Sequence, residues 1–74
     1  MHKIIKITET LDNWGHEQVY GEPEEIANLF REMDGAEWSD DFLFETESGE
    51  ILFIDDILGT TVIVGGDEIL VTGE

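Results

Sequence analysis

Carboxylates are the most abundant reactive groups in this chain, and their spacing is uneven. Residues 40–56 read DDFLFETESGEILFIDD, with an aspartate pair at each end and glutamates at the centre. If this segment is a hairpin turning at Ser48-Gly49, Glu47 stands opposite Glu50, Asp41 opposite Asp56 and Phe42 opposite Asp55. Asp40, Asp41, Asp55 and Asp56 then gather at its open end. Carboxylates so placed have three uses. They can be solvated strand ends, they can receive Arg or Lys from a partner, with Arg binding bidentately, or they can hold Ca²⁺ or Mg²⁺, which take hard oxygen ligands. The sequence contains no D-x-D-x-D-G calcium loop, so the metal reading ranks below the other two.

The acids at the turn add to this. Glu45 and Glu47 are two positions apart on one strand, so they point the same way at about 6.6 Å separation. Like charges opposed across a ribbon, as Glu47 and Glu50 would be, are destabilising. A sequence selected for stability alone would more often place Lys or Thr at one of these positions. The pattern therefore suggests that a negative field is itself wanted.

Other chemistry is sparse. His2 and His16 stand alone, without an H-x-x-H spacing or a nucleophile motif. Ser39 and Ser48 sit beside acids and turn residues, which suits capping and turn roles. No glycine run resembles a phosphate loop, and no cofactor motif is present. A carboxylate-pair hydrolase would need a substrate wall that so short a chain hardly provides. Catalysis is therefore not expected. Trp14, in the polar turn LDNWGHE, has two readings: an interface anchor ringed by charge, or a ring folded back over the end of the core. Trp38, just ahead of the first hairpin strand, reads as core.

These groups need elements to position them. Met1–Thr10 reads as a strand, with Ile5 and Ile7 on one face and Ile4 on the other. Asp12, Asn13 and Gly15 signal a turn, and HEQVYG can return as a second strand. Residues 23–34 read as a helix. Pro23 suits its first position, and Glu24 and Glu25 favour its dipole. Glu25 is also placed to reach back to Glu22 as a capping-box variant. Ile26, Leu29, Phe30 and Met33 form one apolar stripe, and Gly35 is the natural stop. From Glu37 onward the pattern reads as strands only, with a second hairpin of TTVIV and EILVT around Gly65-Gly66.

The expected fold is α+β, a single domain over residues 1–74. One helix packs on a curled, mainly antiparallel sheet of four to six strands in the order β(β)αββββ. In the hairpin register above, Phe42, Phe44, Ile51 and Phe53 share one face, and Leu43, Leu52 and Ile54 the other. Both faces are then apolar. One helix covers only one of them, so the other calls for sheet curling, a second copy or a different partner.

The charge balance narrows the partners. There are 19 Asp and Glu against 3 Lys and Arg, a formal net charge of −16. Lys3, Lys6 and Arg31 are the fixed cations, and none follows Arg31. Repulsion argues against nucleic acid and anionic membrane as direct ligands. An apolar fraction of 41% in patterned runs argues against disorder. No run is long enough to span a membrane. The absence of cysteine and the polar turn of MHKIIKITET lead us to expect an intracellular setting without a leader. General solubility and adaptation to high salt are the plainer explanations of such acidity.

In size and charge the chain resembles the small acidic inhibitors encoded by bacteriophages and mobile elements, among them nucleic-acid mimics and anti-CRISPR proteins, and the segment VYGEPEEIANLF resembles a strand-to-helix step that recurs in small proteins of Gram-positive bacteria and their phages. The resemblance implies a non-catalytic protein acting in the cytoplasm of a bacterial host. It also implies that the partner is a basic nuclease or CRISPR effector, whose nucleic-acid-binding surface is blocked. The residues expected to make that contact are Asp40, Asp41, Glu45, Glu47, Glu50, Asp55 and Asp56, with Trp14 as anchor. The rival readings are a homodimer or larger homo-oligomer, acidic only for solubility, and a carboxylate-rich calcium binder.

Overall fold

Ile4 and Ile7 are both buried although they lie three positions apart on one strand. A regular strand would put them on opposite faces. The explanation is a register shift between Ile4 and Lys6 where β1 (Ile4–Thr10) pairs with β3 (Phe42–Thr46). Two residues of β1 advance against one of β3, as in a β-bulge. Ile4 and Ile7 therefore share the core face, while Ile5 is 40% exposed. This reverses the expected grouping of Ile5 with Ile7.

The structure, a computed structural model, describes residues 1–33 and 37–72. After β1 come β2 (Glu17–Tyr20), α1 (Pro23–Glu32), β3, β4 (Ile51–Leu52), the single helical turn α2 (Ile54–Ile57), β5 (Thr61–Val64) and β6 (Asp67–Leu70). The fold is α+β with one main helix and mostly antiparallel strands, as expected. The strands form a four-stranded sheet in the order β2-β1-β3-β4 and a two-stranded β5-β6 ribbon. A parallel bridge from Lys3 to Ile63 joins the ribbon to the start of β1, and Ile63 N–H donates to the His2 carbonyl at 2.8 Å.

Helix α1 begins as its sequence dictates, with Pro23 in the first turn followed by Glu24 and Glu25. No side-chain hydrogen bond caps it, so the expected Glu22–Glu25 box does not form. Ile26, Ala27 and Phe30 are buried, and Leu29 and Met33 pack against the same core. The helix ends at Glu32, and Met33 is already extended. The expected stop at Gly35 lies outside the described residues.

Phe30, Trp38, Phe42 and Phe44 form the aromatic centre of the core. Trp38 meets the edge of Phe42 at 4.8 Å and of Phe44 at 5.2 Å between centroids. Trp38 is thus core, as expected. Val62, Val64, Ile69 and Val71 bring the β5–β6 ribbon into the same cluster. The turn of that ribbon is the expected Gly65-Gly66, with φ of +61° and +108°.

The β3–β4 hairpin departs from the expected register by one residue. Phe44 pairs with Leu52 and Glu45 with Ile51. Thr46 N–H donates to the Glu50 carbonyl, and Gly49 N–H returns to the Thr46 carbonyl, both at 2.9 Å. The loop is therefore the three residues Glu47-Ser48-Gly49, with Gly49 at φ +94° supplying the left-handed position. A one-residue slip moves every side chain of a strand to the other face. Leu52 accordingly packs on the core, while Ile51 and Phe53 point outward at 53% and 45% exposure.

Candidate functional site

The slipped register changes where the acids lie. Beyond Leu52 the chain leaves the ladder, so Asp41 does not pair with Asp56, nor Phe42 with Asp55. Instead Ile54 and Ile57 turn inward at helical spacing and are both buried. The Asp56 carboxylate accepts from Phe53 N–H at 2.9 Å and closes the turn, leaving Asp55 on its outer side.

Three connections lie at the same end of the four-stranded sheet: the β1–β2 turn, the approach to β3, and α2 after β4. Buried Trp38 fixes the second of these. Ser39 then makes a tight turn, accepting Phe42 N–H on its carbonyl at 3.2 Å and Asp41 N–H on its hydroxyl at 3.3 Å. Thr10 N–H donates to the Asp41 carbonyl at 2.9 Å, which ties this turn to the end of β1. Asp40 and Asp41 are exposed. They diverge into two shallow depressions. Asp40 joins Phe53, Asp55 and Asp56 around one of about 320 Å³. Asp41 joins Thr10, Leu11, Asp12 and Asn13 around one of about 170 Å³. The expected four-aspartate cluster is therefore divided, with Asp41 on its own side. Among the described residues, no three acids or histidines assemble in a way that could hold a metal ion.

Trp14 crowns the β1–β2 turn and is 86% exposed. It does not fold back over the core. Asp12 holds the turn in shape. One of its oxygens accepts from the backbone N–H of Trp14 at 2.8 Å and of His16 at 3.3 Å, while the other meets His16 Nδ1 at 2.6 Å. The His16 ring and then the Trp14 N–H hold the Asp12 carboxyl below the usual aspartate range. Gly15, at φ +92°, supplies the left-handed position the turn needs.

The turn glutamates are placed quite differently. Glu45 lies 3.7 Å from Lys6, Glu47 lies 3.1 Å from Lys3, and Glu50 lies 3.8 Å from His2. These groups share the far end of the sheet, where the chain start meets the β3–β4 loop. Glu47 lies in the loop and does not oppose Glu50 in the ladder, although both line the same depression. Exposed ion pairs contribute little stability, but Lys3 and Lys6 offset the charge of Glu47 and Glu45. Arg31 is also engaged, 3.8 Å from Asp67. Among the described residues, no ion pair reaches Asp40, Asp41, Asp55 or Asp56. The sheet is thus polar in charge, compensated at one end and anionic at the other.

His2 and Ser48, isolated in the sequence, come together with Lys3, Glu47 and Glu50 around a depression of about 230 Å³. Ser48 bonds to Thr46 at 2.9 Å and donates to Glu50 at 3.4 Å. No hydrogen bond joins it to the His2 ring among the described residues, so Ser48 and His2 do not make the nucleophile–base contact of acyl-transfer sites. On the outer face of the sheet, Val19 at the β2 edge and Ile51 and Phe53 at the β4 edge are exposed apolar residues, and the slipped register puts Ile51 and Phe53 there. No helix among the described residues is long and apolar enough to cross a membrane. Comparison with known proteins finds no matching family model, no match among curated proteins and none among solved structures.

Proposed function

We propose that the protein is a non-catalytic acidic binding protein. It docks on a basic, nucleic-acid-binding surface of a partner protein, such as a nuclease or a CRISPR effector, and blocks it. The observation that carries this reading is the uneven charge: Asp12, Asp40, Asp41, Asp55 and Asp56 share one end of the sheet, while Lys3 and Lys6 sit at the other with Glu47 and Glu45. Trp14, exposed between these acids and held by Asp12, is suited to anchor the contact. Oriented charge of this kind gives fast, salt-sensitive association. Glu45 and Glu47 take a lesser part because Lys6 and Lys3 already face them, and Glu50 lies beside them at that end.

The test is capture of nucleic-acid-binding proteins from a bacterial lysate on the immobilised chain, with elution by salt and by duplex DNA. For a captured protein, Asp40→Lys with Asp41→Lys and Asp55→Lys is expected to slow association at least about tenfold at low salt. Glu47→Lys with Glu50→Lys is expected to slow it much less. A captured protein that DNA does not displace, or equal effects of the two sets, would overturn the reading.

A further inference from the structure

The inner face of the four-stranded sheet is closed by the core, but its outer face is not. By register, Val19, Thr8 and Leu43 lie in one row across β2, β1 and β3. Phe53, extended and two positions after outward-facing Ile51, continues that row past β4. Val19 is 49% exposed, Ile51 53% and Phe53 45%. The row spans three inter-strand spacings, about 14 Å, the length of roughly nine helical residues. Acids flank it. Glu17 pairs with Thr10 in the adjoining row, and Asp41 meets Thr10 through its carbonyl. On the other side Glu45, paired with Ile51 in the ladder, is already faced by Lys6 at 3.7 Å.

We infer that this face seats an amphipathic basic helix of a protein partner, laid across the strands with its apolar stripe on the Val19–Phe53 row and its Lys and Arg over the flanking acids. The inference rests on the proposed function for the partner's charge and adds the chemistry and shape of the segment that docks. Charge decides among the occupants. A second copy would bring another chain of −16 onto the face and set Glu17 and Asp41 against their own kind. An anionic lipid surface is repelled for the same reason. A helix carrying leucines at i, i+3, i+4 and i+7 with basic residues between them satisfies both the row and its flanks.

Two synthetic peptides of identical composition test this, one with the leucines in a helical stripe and one scrambled. Each is titrated into the isotope-labelled protein at physiological ionic strength, and amide resonances are followed. The striped peptide is expected to perturb Thr8, Val19, Leu43 and Ile51 and to bind about tenfold more tightly than the scrambled one, the excess coming from apolar burial. Val19→Ser with Ile51→Ser, both at exposed positions, is expected to remove that advantage and leave the scrambled peptide's binding unchanged. Equal affinities, or shifts confined to other surfaces, would overturn the helix-seating inference while leaving the acidic binding protein in place. Failure of both peptides to bind even at low salt would overturn both readings. A dimer in sedimentation analysis that Val19→Ser with Ile51→Ser dissolves would overturn the inference in favour of a second copy.

Discussion

Salt dependence of stability follows directly from a charge of −16 on a chain whose radius of gyration is 11.4 Å. As a uniformly charged sphere, the folded chain has a radius of about 15 Å, against about 34 Å for the unfolded coil. Self-energy scales as the square of the charge over the radius. It is damped as the radius exceeds the Debye length, about 30 Å at 10 mM salt and 10 Å at 100 mM. On this basis the folded state carries roughly 16 kcal/mol more repulsion than the unfolded at 10 mM and roughly 11 kcal/mol more at 100 mM. Bound counterions make these upper bounds. Even a fifth of the difference, about 1 kcal/mol, moves the Tm of so small a domain by about 4–8 °C. Thermal unfolding by circular dichroism at neutral pH is therefore expected to show a Tm at least about 5 °C higher in 100 mM than in 10 mM sodium chloride. Neutralising four exposed acids, Asp40→Asn, Asp41→Asn, Asp55→Asn and Glu68→Gln, takes the formal charge from −16 to −12. The square of the charge then falls by nearly half, and the salt slope should fall by about 40%. A Tm flat across this salt range, or a slope unchanged in the neutralised variant, would refute self-repulsion as a main term in the stability.

Two further tests probe the supports of the site. Gly65 has φ +61°, and a Cβ added there would lie 2.7 Å from the Pro23 Cβ, so Gly65→Ala is expected to cost about 2–3 kcal/mol in denaturant unfolding. Gly15→Ala, strained by its φ of +92° but with open space around it, is expected to cost less; equal losses would argue against close packing of the ribbon turn on the helix. Asp12 has a folded pKa depressed below its unfolded value, so its contribution to turn stability is present above the unfolded pKa and is lost as pH falls through the folded one. Following the Asp12 carboxyl by NMR, His16→Ala is expected to bring its titration back toward the ordinary aspartate range; an unchanged midpoint would mean the imidazole is not the main cause.

Legibility in the sequence tracked how local each determinant is. Helix α1 was readable because Pro23, the two glutamates after it and the apolar stripe all specify the same element. The β5–β6 ribbon was readable because Gly65-Gly66 admits the left-handed pair of a tight turn. The β3–β4 register was not, because Ser48-Gly49 as a two-residue loop and Glu47-Ser48-Gly49 as a three-residue loop fit the same letters. The choice rests on Thr46, buried at 2% exposure, whose hydroxyl accepts Glu50 N–H at 3.1 Å and pins the longer loop. Helix α2 was masked by the apolar run ILFI, although Ile54 and Ile57 at helical spacing, with Asp56 three residues after Phe53, carried its signal. The bulge near Ile5 has no evident mark in the sequence. It follows from Ile4 and Ile7 both having to reach one core.

The charge polarity of the sheet follows from this topology. In an antiparallel order the chain start and the β3–β4 loop meet at one end, so His2, Lys3 and Lys6 fall beside Glu45, Glu47 and Glu50. The β1–β2 turn, the approach to β3 and α2 share the other end, where Asp12, Asp40, Asp41, Asp55 and Asp56 collect without Lys or Arg. By residue type and spacing alone, the seven acids of the 40–56 segment were equivalent candidates. The fold divides them into two that face lysines, Glu45 and Glu47, one beside the His2 ring, Glu50, and four that no ion pair reaches among the described residues. Such a molecule turns its anionic end toward a basic surface before contact is made. On the proposed reading, that approach brings Trp14 and the Val19–Phe53 row toward the same surface. Charge would then govern the rate of encounter, and burial of Val19, Ile51 and Phe53 would govern which encounters last.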